Sequence, residues 1–208
     1  MDRGRLEAFS DGVFAVAITL LALNLAVPGP GHGPLGHQLV HRWPEFVAYA
    51  ISFFTIGIIW VNHHALFRTI DAIDRVLVFL NLLLLFFVVA IPFATATMAT
   101  YLRGGGPDAH LATAVFNGVF LGMSLAFGGL FSHTMRRHLL AVRVEPALER
   151  RALIRFTIGT AAYAIAVGVA FVSAEAALVI SALVAVYYVF ERTPSRPVDQ
   201  PSEPRVMT

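Results

Sequence analysis

Between Arg75 and Arg103 lie twenty-seven consecutive residues without a charge. At 1.5 Å per residue such a run makes a helix about 40 Å long, more than the ~30 Å hydrocarbon core of a bilayer. Lipid offers no partner to a bare N–H or C=O, so a segment like this has to satisfy its backbone internally, as a helix. Composition agrees. The chain has 208 residues, of which 57% are hydrophobic and 13% charged, well outside the balance of a soluble domain. Further apolar spans are expected at about residues 7–27, 44–66, 110–133, 152–172 and 174–190. The fold class is therefore all-α, a polytopic membrane protein with six transmembrane helices. Residues 1–191 form one membrane domain, and 192–208, rich in Pro, Ser and charge, form a disordered tail.

The breaks between spans are marked by helix-stopping residues. Pro28, Gly29, Pro30, Gly31, Gly33 and Pro34 end the first span and open a loop over residues 28–43. Pro44 suits a first helical turn. Pro92 lies inside the uncharged run and should kink or loosen it. Gly118 and Gly122 are spaced for close helix packing. Residues 134–151 read as a basic linker. Charge sets the orientation. With a cytoplasmic N-terminus, thirteen of the fifteen basic residues lie inside, and only Arg42 and Arg103 lie outside. The positive-inside rule thus favours an even number of spans and places both termini in the cytoplasm.

The first span is the unusual one. Residues 9–27 follow Arg3 and Arg5 and carry Asp11 at their leading edge. A signal peptide is the rival, but further spans follow, so a retained transmembrane helix is the reading. Phe9, Val13, Val16, Leu20, Leu23 and Val27 recur at steps of three and four. Gly12, Val16, Thr19 and Leu23 form a second stripe beside them. Such a ladder serves ordinary packing, or it rings a pore in a symmetric oligomer, where apolar rings gate by dewetting.

The topology also brings distant polar residues to one depth. Phe9, Ser10 and Asp11 enter where Trp60, Asn62, His63 and His64 arrive, and where Asn81 leaves. A carboxylate there is costly unless paired. His63 or His64 is the expected donor to Asp11, with Arg5 one turn away joining them. The cluster reads as a structural hydrogen-bond network, with proton sensing as the alternative. A metal site is disfavoured, because adjacent histidines point about 100° apart on a helix.

Arg5, Phe9, Ser10, Asp11 and the run on to Thr19 resemble the first-helix signature of the prokaryotic TMEM175-like potassium channels, and Trp60, Asn62, His63 and His64 resemble a second element of that family. The similarity extends to about residue 190. It implies a six-helix subunit and a homotetramer in the lipid bilayer. The central pore would be lined by the first helix and would lack the usual P-loop filter. By resemblance, Val16 takes the place of an apolar constriction, where relatives carry Leu or Ile. Thr19 supplies a hydroxyl to passing cations, and Leu20 and Leu23 add further apolar positions. Arg5, Asp11 and His63 or His64 would form a fold-stabilising network. The implied function is a cation channel with a modest preference for K+ over Na+, in the inner membrane of a bacterium.

Other classes fare worse. The sequence has no cysteine and no lysine, which excludes thiol chemistry, Schiff bases and P-loop phosphate binding. Ser10 and Ser52 lack a His–Asp arrangement, so no enzyme is expected. No cofactor is called for. His32, His37 and His41 read as solvated loop histidines rather than a metal site. A net charge of +2 offers no stripe for nucleic acid. A proton-coupled secondary transporter is the runner-up, using Asp11 and the histidines, though no internal repeat supports it. A partner-binding membrane scaffold is a further alternative.

Overall fold

The computed structural model describes residues 2–23, 25, 27–141 and 146–190. Every named element is a helix: α1 (Arg3–Ala22), α2 (Leu35–His41), α3 (Trp43–Thr69), α4 (Arg75–Leu102), α5 (Gly106–Arg136), α6 (Pro146–Ala170) and α7 (Ala174–Phe190). The expected tail at 192–208, together with Asn24 and Arg143, lies outside the described residues. Six long helices run alternately up and down. The bundle therefore has a basal end, where α1, α4 and α6 begin, and a distal end, where they finish.

By length and composition α3, α4, α5 and residues Arg150–Ala170 of α6 can each cross a membrane. The most apolar is α4, with a mean hydropathy of 2.9 over its best window. At 17 residues α7 is apolar but shorter. The 20 residues of α1 carry Arg3, Arg5, Glu7 and Asp11 in their first turns. The chain is thus a multi-pass membrane protein with an all-α fold.

Two expectations change. The loop over 28–43 is not wholly irregular, because α2 lies within it. Gln38 of α2 ties that loop down, its Nε2 donating to the carbonyls of Gly29 (3.0 Å) and Gly33 (2.8 Å). Pro92 sits buried inside α4, which runs on past it to Leu102. The expected basic linker over 134–151 is partly helical, since α5 runs on to Arg136 and α6 begins at Pro146. The two glycines of α5 also differ. A side chain on Gly122 would run into the ring of Phe87 on α4, whereas one on Gly118 would meet nothing.

Packing is densest between α4 and α5, with α1 laid against α3 and α4, and α6 and α7 against α5. Side-chain hydrogen bonds, buried or partly so, stitch these faces together: Ser52 with Thr95 at 2.7 Å, Ser124 with Thr160 at 2.6 Å, and Ser181 donating to Asn117 at 2.6 Å. In lipid, such pairs add specificity to helix contacts that apolar packing alone leaves loose.

At the basal end the α3–α4 and α5–α6 connections form a small clasp. Ile70 and Leu140 make an antiparallel bridge. The Asp71 N–H donates to the Leu139 carbonyl (2.8 Å), and the Ala141 N–H to that of Thr69 (2.9 Å). Arg3 completes it, its guanidinium donating to the carbonyl of Ile70 at 2.8 Å.

Beside the clasp, Asp74 caps α4. Its carboxylate accepts the Leu77 N–H at 2.7 Å and meets His133 Nε2, also at 2.7 Å. The Leu77 N–H is the largest influence holding its carboxyl below the usual carboxylate range; burial, next in size, opposes it, and the His133 bond with the charges of His133 and Arg137 adds to the lowering. A carboxyl depressed on folding stabilises the fold above its unfolded pKa, and that contribution is lost as pH falls through the folded value. Asp74→Ala is therefore expected to cost about 1 kcal/mol at neutral pH, the usual worth of a cap. The gap between variant and parent should close below about pH 4. Thermal unfolding in detergent across that range checks it; a gap of equal size at both ends would show that the carboxylate charge is irrelevant.

Candidate functional site

One face of α1 is built into the bundle and the other is not. Leu6, Ser10, Phe14, Ala17 and Leu21 are buried, at the spacing of a single helical stripe. Opposite them, Phe9, Gly12, Val16, Thr19, Leu20 and Leu23 are exposed. Val16 is 57% and Leu23 73% accessible. At about 100° per residue, Gly12, Val16, Thr19 and Leu23 fall in the middle of this bare arc. Phe9, expected in the polar cluster, instead stands on the bare face at its basal end.

Thr19 is arranged to offer oxygen rather than hydrogen. Its hydroxyl donates to the carbonyl of Val16, at 2.9 Å. The proton is engaged with the helix itself, which leaves the lone pairs for a cation approaching the exposed side.

Behind this face lies a buried polar chain that crosses three helices. The His63 Nε2–H on α3 donates to Asn81 Oδ1 on α4, at 2.8 Å. Asn81 Nδ2 donates to Ser10 Oγ on α1, at 3.0 Å, and the Ser10 hydroxyl donates to the Leu6 carbonyl at 2.9 Å. His63, Asn81 and Ser10 are fully buried. The imidazole of His63 stacks on Phe67 with ring centroids 4.1 Å apart and leans against Phe14 of α1 at 5.4 Å. The Asn81 amide orientation fixes the tautomer, since its oxygen faces Nε2 and its nitrogen faces Ser10. His63 Nδ1 is left without a partner.

A second set lies nearer the surface. Trp60 Nε1–H donates to Asp11 Oδ1 at 2.9 Å. His64 Nδ1 lies 3.0 Å from Glu7 Oε1, a close contact rather than an aligned hydrogen bond. The donor to Asp11 is thus a tryptophan and not a histidine. The two histidines do diverge, His63 into the core and His64 toward Glu7, a residue the sequence reading did not single out. Arg5 is exposed and takes no part in these contacts within the subunit; Arg3 is the arginine that reaches across. Asn62 points away, into a cleft on the other side of α3.

Glu7, Asp11 and His64 offer ligand atoms within 4.8 Å of one another. Their grouping is already accounted for by the Trp60 hydrogen bond and the Glu7–His64 pair. At the distal end, Glu45 Oε1 receives both Arg42 and Arg103 at 3.0 Å. His37 and His41 stack on one face of α2 at 6.1 Å; they form a one-turn pair.

The profile of the family described as endosomal/lysosomal potassium channel TMEM175 matches residues 5–92, the stretch that holds α1 and the whole polar chain. A potassium channel of Streptomyces collinus is 48% identical, covering 93% of this chain and 94% of its own. One from Chamaesiphon minutus is 35% identical, with coverage of 90% and 93%. Among solved structures, the fold is similar to that of a lysosomal potassium-selective channel TMEM175 homolog from Chamaesiphon minutus. That likeness has a TM-score of 0.78 and 34% identity, and covers 90% of this chain and 96% of the other.

Proposed function

The chain belongs to the TMEM175 potassium-channel family, and on that footing we propose that it is a potassium-preferring cation channel whose pore is lined by α1. Six spans, α1 and α3 to α7, cross the inner membrane of a bacterium with both termini in the cytoplasm. Four copies close around an axis, because a ladder on one helix makes only one wall and symmetry must supply the rest. Residues 1–191 form the channel domain.

The observation that carries this reading is the bare face of α1. A membrane-length helix exposes a hydroxyl flanked by Val16 and Leu23 while its other side is locked into the bundle. Packing within the subunit leaves that face unused; facing its own copies, it makes a continuous apolar lining with one ring of oxygens. Val16 forms the narrow ring and Leu23 a second one, with Leu20 beside it. Selection among cations then comes from the cost of stripping water at the apolar rings, partly repaid at Thr19. That supports a modest K+ preference over Na+. The Ser10–Asn81–His63 chain, with Trp60 and Asp11 beside it, holds α1 in rotation so that the bare arc faces the axis.

The test is electrical recording of the purified protein in planar bilayers with K+ on one side and Na+ on the other. Discrete openings that reverse toward the potassium equilibrium potential are expected. Current that saturates and follows a proton gradient without unitary steps would replace the channel with a proton-coupled transporter.

A further inference from the structure

On the side of α3 turned away from α1 lies a cleft of about 720 Å³ between α3, α5, α6 and α7. Its walls are mostly apolar. Phe53, Gly57 and Val61 of α3 face Phe131 of α5, Phe156 of α6 and Val189 of α7. The α3 residues that line it extend from Phe53 to Thr69, about 24 Å along the helix axis at 1.5 Å per residue, longer than one ~15 Å hydrocarbon leaflet. No carboxylate is among its described lining residues.

The basal mouth is positive. Arg155 lines the cleft itself, and Arg151, exposed, lies one turn earlier on the same helix. Arg136 and Arg137, both exposed, directly follow the lining residue Met135. An apolar slot of this size does not hold ordered water. In a bilayer its natural filler is hydrocarbon, and a rim of arginines at that depth selects headgroups of negative charge.

We propose that this cleft binds an anionic phospholipid, with one acyl chain laid along α3 and the headgroup phosphate on Arg151 at its rim. The site has a route to the pore helix. Trp60 lines the cleft and is also the residue whose indole N–H holds Asp11 of α1. A chain seated there braces Trp60 and through it the rotation of α1. That coupling rests on the pore reading above, whereas the binding does not.

Native mass spectrometry of the purified full chain tests the binding, with phosphatidylglycerol and phosphatidylcholine added in equal amounts. The expected result is about one retained phosphatidylglycerol per subunit, favoured over phosphatidylcholine by at least about fivefold. Gly57→Phe puts a ring into the slot from a position where an added Cβ meets no atom within 4 Å. It should abolish retention at unchanged oligomer size. Arg151→Gln, on the exposed rim, should remove the headgroup preference by itself. Equal retention in parent and Gly57→Phe, or an undiminished preference in Arg151→Gln, overturns the proposal. So does dissociation of the oligomer by Gly57→Phe, which would make the cleft a subunit interface. The reading does not use ion flux, so a silent bilayer with lipid still retained sinks the channel reading and leaves this one standing.

Discussion

Val16→Ala is expected to raise the potassium current of the assembled protein about tenfold, the effect of lowering a wetting barrier by about 1.4 kcal/mol. The substitution removes two carbons from each subunit, and symmetry repeats the change around the proposed ring. Val16 is 57% exposed in the subunit, so its side chain adds little to internal packing and the fold should be unaffected. Selectivity should fall together with the barrier, because a wider ring strips less water from each ion. The Thr19 oxygen is held by a hydrogen bond to the backbone carbonyl of Val16, which alanine retains. Single-channel recording in matched and bi-ionic solutions reads both quantities. Equal unitary conductance and equal reversal potential in variant and parent would remove Val16 from the pore.

Asn81→Leu is expected to be the most damaging single change to the bundle. Asn81 is fully buried and is the only link between His63 and Ser10 among the described contacts. Leucine matches it roughly in size but strands the His63 N–H and leaves the Ser10 oxygen with one neighbour fewer. A stranded buried group costs about 1–3 kcal/mol, and cross-helix hydrogen bonds in membranes sit toward the lower end of such values. A loss of about 2 kcal/mol should lower the melting temperature by roughly 4–8 °C for a chain of this length, with ion preference unchanged in whatever folds. Detergent thermostability followed by gel filtration measures it. Asp11→Ala should cost less, because the Trp60–Asp11 bond it removes is exposed. A reversed order of the two would mean that the outer pair, rather than the buried chain, fixes α1.

The six long helices, their order and the shared depth of Ser10, His63 and Asn81 were legible in the sequence. Helix length and charge report position along the membrane normal, and that coordinate was enough to gather them. What the sequence does not carry is each helix's rotation about its own axis. His63 and His64 sit side by side in the chain but point about 100° apart. Only the seating of α3 against α1 decides that His63 faces Asn81 while His64 faces Glu7. For the same reason Asn62, one residue away, ends in the cleft on the far side. Arg3 and Arg5 differ likewise, and it is Arg3 that falls within reach of Ile70. The short helix α2 was hidden by the prolines and glycines ahead of it, although His37 and His41 were spaced one turn apart. The clasp was not readable at all, since its two bridged residues, Ile70 and Leu140, are joined by backbone groups that every sequence possesses.

That clasp orders the birth of the molecule. Thr69 and Ala141 are partners across some seventy residues of chain, so their bond cannot exist until the ribosome has released the second of them. Until then the Ile70 carbonyl that receives Arg3 belongs to an unfastened loop. The first helix made is therefore among the last to be secured at its basal end. A nascent chain halted before residue 141 should leave that end open to a protease that the finished subunit resists.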